Sequence, residues 1–294
     1  MFYRRKIVLA LMQAFGGELP KISLQKLLFL FVNRQIRPAY DFVPYLYGCY
    51  SFSANADLTA MVRHGQLSED KTNFTKTGSV DFVKTLDEKD KKILSEIKNT
   101  YGSLSTDSLM KLTYLNYYYY AINSIKAKEI VTEEQYQDIA SARPVINKTI
   151  LYTIGYEGIS LEEYLNRLIK NDVKVLVDVR KNPLSMKYGF SKSQLKAFCD
   201  SLNIGYLHIP EVGIRSDQRQ ELNTQADYDK LFKIYKKENL KRTYTYQEQI
   251  LNLLKDKKRI ALTCFEANIC QCHRKHLAES ITTLPEWNFE LRHI

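Results

Sequence analysis

Three runs in the second half of the chain, KTILYTIGY (148–156), VKVLVDVR (173–180) and RIALTCF (259–265), are apolar without strict alternation. A strand with one wet face alternates apolar and polar residues; a strand buried on both faces does not. Helix-period segments separate these runs: SLEEYLNRLIK (160–170), SKSQLKAFCDSLN (191–203), and two more near 226–239 and 244–255. IGYLHIP (204–210) adds a short strand, CHRKHLAES (272–280) a helix and FELRHI (289–294) a last strand. Strands of this kind alternating with helices predict a Rossmann-like α/β domain, its parallel sheet covered on both faces, over 149–294.

The first half, 1–148, predicts a mostly helical domain. Residues 3–15 and 24–34 have apolar spacing near the helical period, with Ser23 as N-cap of the second. Pro44 and Gly48 break regularity, Ser53 or Asn55 would cap a helix running through Val62, and Gly65 would end it. QLSEDKTNFTKTG (66–78) then predicts two short strands with a polar tip. Helix, helix, helix, hairpin is the order of a winged helix. Helices continue over 88–140, where NYYYYA (116–121) places four tyrosines in a row. On a helix they point in all directions, which suits packing of one domain on another or stacking on bases. SARPVINK (141–148) is the junction.

Composition narrows the partners. A net charge of +10 suits a phosphate-bearing ligand. Up to residue 148 there are 20 basic and 15 acidic residues, and 23 and 18 after it, so neither half is the basic one. The five cysteines are odd in number and unevenly placed, which argues against a disulfide framework and for a reducing, cytoplasmic setting. No apolar run reaches the roughly 18 residues of a membrane span, and the first residues predict an amphipathic helix, not a signal peptide.

In open parallel sheets ligands bind beyond the carboxyl ends of the strands. Those ends carry Gly155 and Tyr156; Asp178, Arg180 and Ser185; His208 and Glu211; then Cys264, Glu266, Cys270, Cys272, His273 and Arg274. Asp178 and Arg180, two apart on a strand, face the same way. They predict either a phosphate-holding arginine beside a proton-transfer carboxylate or an ion pair closing the sheet top. Gly155 and Gly158 either admit a ligand to the backbone or simply make a turn. Cys272 opens a helix next to Arg274, where the helix dipole lowers a thiol pKa and attracts anions. Cys270 or Cys272 would attack and the other resolve, with Glu266 as acid or base. Cys264 would be a small core residue. A zinc would instead take Cys264, Cys270, Cys272 and His273, with Asp178 or His208 as substitute, although C-x-C-H is not a standard zinc spacing.

Two resemblances follow from particular stretches. SLQKLLFLFVNRQ, VPYLYGCYS and DLTAMVRHGQL, within about the first 85 residues, resemble the Panacea antitoxin-like domain and its winged-helix-like relatives. The chain departs at Ser23, where the family carries lysine, and at Cys49, where it carries proline. This resemblance implies a protein-partner or nucleic-acid module and no chemistry. TIGYEG, VDVRKNPLS, FSKSQLKAF, GYLHIPEVGIR and LTCFEANICQCHRKHLAE resemble the family catalogued as domain of unknown function 488. That implies an α/β domain with a pocket built of these residues, and no established reaction. The strand-Cys-loop-Arg-helix order also looks like rhodanese-type sulfurtransferases, but the loop after Cys264 has no glycine to cradle an anion.

Three functions are therefore expected as alternatives. The first is action on a nucleotide or nucleic-acid base, with Asp178, Glu266 and Cys272 as catalytic residues. Gly155, Tyr156, Arg180, Ser185, His208, Glu211, His273 and Arg274 would then bind substrate. The second is a non-catalytic regulatory or defence-type protein that senses a small anionic ligand. The third is a cysteine-dependent transfer or redox protein. No cofactor is specified.

Overall fold

The computed structural model describes residues 1–215, 218 and 222–294, and it divides into two compact units, Met1–Arg143 and Pro144–Ile294. In the first unit, α1 (Tyr3–Ala14), β1 (Glu18–Pro20) and α2 (Lys21–Val32) precede a hairpin of β2 (Val43–Tyr45) and β3 (Gly48–Tyr50). α3 (Phe52–Arg63), β4 (Leu67–Glu69) and β5 (Asn73–Lys76) follow, and β1, β5 and β4 form an antiparallel sheet in that order. The unit ends with α4 (Glu88–Tyr101), α5 (Thr106–Asn116), α6 (Tyr118–Ala121), α7 (Ala127–Ile130) and α8 (Glu133–Ser141).

α2 is the centre of this unit. Its sequence is apolar on almost every side, and it is buried from Ser23 to Val32. A helix hydrophobic all round is a core helix, with others packed about it. The polar residues it carries inward are matched. Lys26 Nζ donates to the Cys49 carbonyl at 3.0 Å, and Gln25 Oε1 accepts from the Ser51 N–H at 3.0 Å. That second bond helps fix Ser51 in an extended conformation, so Ser51 caps α3 by accepting from Ala54 N–H. Ser53 and Asn55, expected as caps, lie inside the helix. Ser23 likewise lies inside α2, bonded to Thr106, because Pro20 starts the helix one turn earlier. The tyrosine run is not one helix: Tyr117, at φ −143° and ψ 61°, separates α5 from α6. Tyr117 and Tyr120 meet Phe29 edge-on at 4.8 Å each, so they pack within this unit.

In the second unit the strands are β6 (Ile150–Gly155), β7 (Val175–Asp178), β8 (Gly205–His208), β9 (Arg259–Cys264) and β10 (Glu290–His293). They form one sheet ordered β10-β6-β9-β7-β8, with every pair parallel. The connecting helices are α9 (Leu161–Lys170), α10 (Lys192–Ser201), α11 (Gln225–Ile234), α12 (Leu240–Arg242), α13 (Tyr244–Lys257) and α14 (His273–Thr282). A single π-helical turn, Tyr235–Asn239, lies between α11 and α12. β6 and β7 are buried at every position and β9 at all but its first, as expected for strands sandwiched between helix layers. No helix among the described residues is long and apolar enough to cross a membrane.

Gly48 closes the β2–β3 turn at φ +91°, and a Cβ there would lie 2.5 Å from the buried Tyr114 ring. Gly48→Ala combines a left-handed backbone with that overlap. It should cost about 2 kcal/mol or more, read as a fall in the chain's denaturant midpoint. An unchanged midpoint would show that the hairpin yields freely.

Candidate functional site

The parallel register lines up the strand ends. Gly155 pairs with Cys264, and Asp178 with both Thr263 and His208. Because β9 inserts between β6 and β7, the Cys264 backbone falls between those of Gly155 and Asp178 on one edge.

Asp178 is fully buried there, and its carboxylate is fully engaged. It accepts from Arg180 Nε at 2.8 Å, Arg180 Nη2 at 2.5 Å, the Arg180 N–H at 3.1 Å and Tyr206 Oη at 2.6 Å. The third guanidinium nitrogen, Nη1, donates to Tyr156 Oη at 2.7 Å and to the Phe190 carbonyl at 2.8 Å. Burial alone would lower the arginine pKa; the hydrogen bond and charge of Asp178 outweigh it and hold the guanidinium above its ordinary value. The Tyr206 phenol is pushed up, by burial first and then by the Asp178 charge. This is the geometry of an ion pair closing the sheet top, with every guanidinium nitrogen already donating to protein. Tyr156, held by Arg180, stacks on Phe190 at 4.2 Å with the planes 9° apart. His208 Nε2 donates to the Arg180 carbonyl at 2.9 Å.

Arg274 was expected to reach for phosphate. It is buried instead, its Nη1 donating to the Glu266 carbonyl at 2.5 Å and its Nη2 to that of Ala267 at 3.4 Å. It pins the segment after β9. The N–H groups of Tyr156 and Glu157 hold the same segment through the Phe265 carbonyl. Gly155 is the residue that lets it approach: a Cβ there would sit 2.0 Å from the Glu266 carbonyl oxygen.

The cysteines separate into two kinds. Cys270 is exposed, with Lys275 Nζ 3.9 Å from its sulfur. Cys264, Cys272 and His273 are buried, and their ligand atoms lie within 4.8 Å of one another. The expected four-ligand set is therefore not assembled, since Cys270 stands outside it. Cys272 is the N-cap of α14, as expected, but it is fully buried, and burial first and a hydrogen bond with Cys264 second push its thiol well up. Desolvation outweighs the helix dipole here, so the expected low-pKa thiol is not found at this position. His273 Nε2 lies 3.0 Å from the Val179 carbonyl. A carbonyl only accepts, so Nε2 carries the hydrogen and Nδ1 turns to Cys264 Sγ at 3.6 Å. The same sulfur lies 3.1 Å from Glu266 Oε2.

Beside this cluster opens a cleft of about 260 Å³. Tyr156, Arg180, Ser185 and His273 line it, as expected of them, with Asn182 and Cys264, which also stand at the strand carboxyl ends; so do Lys181, Leu184, Ile214 and Phe265, which the sequence did not single out as ligand contacts. Of the lining, Leu184 and Phe265 are exposed apolar side chains. Glu211 lines a second cavity, of about 430 Å³, which shares Lys181 and Ile214 with the cleft. The signal for Cys264 was its place as the last residue of β9; that Gly155 pairs with it is visible only in the register.

Residues 160–281 match the family model described as Domain of unknown function DUF488. The match takes in β7, β8, β9 and the whole Cys264–Arg274 segment, and begins after Gly155 and Tyr156. No curated protein and no solved structure matches the chain.

Removing one partner of a buried ion pair strands the other charge. Asp178→Ala should destabilise the chain by about 3–5 kcal/mol, and Tyr206→Phe by about 1 kcal/mol, in equilibrium denaturation. Equal, small losses for the two would contradict the structural pairing.

Proposed function

We propose that the cleft of the second unit is an active site acting on a nucleotide or a nucleic-acid base. One observation carries this reading. A cavity of about 260 Å³ brings exposed aromatic and aliphatic side chains, a lysine and an amide together over a Cys–Glu–His cluster. The volume lies just below the range of ~300–1,000 Å³ common for ligand pockets, so it suits one ring system better than a dinucleotide. Phe265 and Leu184 offer faces on which a base stacks. Asn182 supplies both a donor and an acceptor for a base edge. Lys181, on the rim shared with the second cavity, offers charge to a phosphate.

The roles differ from those expected from sequence. Asp178 and Arg180 hold Tyr156 and the strand ends in place, and neither has a share in proton transfer. Glu266, beside the sulfur of Cys264, is the group that moves a proton, in a segment fixed by Arg274. The first unit is proposed as a winged-helix-like module for a nucleic-acid or protein partner. Its order of α1, β1, α2, the β2–β3 hairpin, α3, β4 and β5, with β1 joining the β4–β5 hairpin through β5, supports that reading. A cytoplasmic setting agrees with five cysteines that form no disulfide, four of them buried.

Calorimetric titration with the four ribonucleoside 5′-monophosphates tests the site. At least one should bind, and Lys181→Ala and Phe265→Ala should each weaken it about tenfold, roughly 1.4 kcal/mol. Glu266→Gln should keep binding and lower turnover of the bound nucleotide by about 10²–10⁴-fold. Absence of binding for all four, or full activity of Glu266→Gln, would remove the proposal.

A further inference from the structure

We infer that Cys264, Cys272 and His273 form a binding site for a single zinc ion, with the fourth coordination position open to the cleft. The inference deepens the proposed function by naming what would activate a water there, but the site stands on its own geometry.

Zinc takes thiolate sulfur and imidazole nitrogen in a tetrahedron. With zinc–sulfur bonds of about 2.3 Å and zinc–nitrogen bonds of about 2.0 Å, the sulfur–nitrogen edge of that tetrahedron is roughly 3.5 Å. Cys264 Sγ and His273 Nδ1 are 3.6 Å apart. Cys272 Sγ completes the triangle, all three atoms lying within 4.8 Å of one another. The imidazole is already set for metal. Its Nε2–H is tied to the Val179 carbonyl at 3.0 Å, so the lone pair at Nδ1 faces the two sulfurs. A metal-bound histidine characteristically has its other nitrogen held in this way, which fixes tautomer and ring orientation.

Two sulfurs and one nitrogen favour zinc over magnesium or calcium, which prefer oxygen. Among the described residues these three side chains offer the ligand atoms, and three protein ligands with the fourth position open are the pattern of a catalytic zinc; a structural one has four. The vacant corner has a direction, because Cys264 and His273 line the cleft and Cys272 is not among its lining residues. Glu266 Oε2, 3.1 Å from Cys264 Sγ, is the carboxylate beside these ligands. There it would accept the proton of a zinc-bound water. Such a water would attack an electrophilic carbon of the base held above it; a hydroxyl is added there and the group displaced leaves with the proton. Cys270 has no part in the site.

The test uses the full chain, freed of metal by chelator and reloaded with Zn²⁺ or Co²⁺. Elemental analysis should find one zinc per chain. The Co²⁺ protein should show the intense visible bands of a tetrahedral centre and a sulfur-to-cobalt charge-transfer band in the near ultraviolet. Cys264→Ser and Cys272→Ser should each weaken Zn²⁺ by at least about 100-fold, and Cys270→Ser should leave it unchanged. The wild-type spectrum decides the matter even if a variant fails to fold. No bound metal, an octahedral cobalt spectrum, or dependence on Cys270 overturns the inference. Iodoacetamide labelling of Cys264 that added Zn²⁺ does not suppress would overturn it in favour of a thiol enzyme. A loaded protein that binds no nucleotide would instead leave the zinc site standing and remove the substrate.

Discussion

The Asp178–Arg180 ion pair is the interaction on which the rest of the second unit depends. A buried charge is costly unless it is paired and its remaining hydrogen-bonding capacity is filled. Here the carboxylate takes four donors and all three guanidinium nitrogens donate to protein. Each of those bonds also positions something. Arg180 fixes Tyr156 and the main chain at Phe190, and Asp178 fixes Tyr206. The pair closes the sheet where the backbone ladder stops, so that side chains order the strand ends.

Next to that closure the chain solves a second problem. β9 delivers Cys264 between β6 and β7, and the segment that follows must turn back over the sheet before α14 begins. Arg274 donates into its carbonyls from one side, and the N–H groups of Tyr156 and Glu157 hold the Phe265 carbonyl from the other. Only a glycine at 155 leaves room for the Glu266 carbonyl. The result is a short, rigid connection that returns Cys272 and His273 to within reach of Cys264. The rigidity is what a site needs whose donor atoms must converge within a few tenths of an ångström.

Much of this was legible in the chain. Unbroken apolar runs identified β6, β7 and β9 because burial on both faces removes alternation, and the carboxyl-end rule then collected most of the side chains at the site. Periodicity says nothing, however, about strand order, so the pairing of Gly155 with Cys264 was out of reach. Local rules also misjudged single residues. The helix-start argument gave Cys272 a lowered pKa, but desolvation, which depends on everything packed around it, decides the opposite. Arg274 looked like an anion ligand by residue type, and its burial turned it to the backbone. Ser23 looked like a cap until Pro20 began the helix sooner. In the first unit the tyrosine run was conspicuous for composition, yet two of its members simply cover Phe29.

Zinc K-edge X-ray absorption of the reloaded chain tests the central claim most directly, because it counts and identifies the atoms around the metal. Two sulfurs at about 2.3 Å, one imidazole nitrogen near 2.0 Å and one light oxygen or nitrogen ligand are the result the structure predicts. A shell of three or four sulfurs, or of oxygens alone, would contradict the assignment of Cys264, Cys272 and His273 as one site open to the cleft.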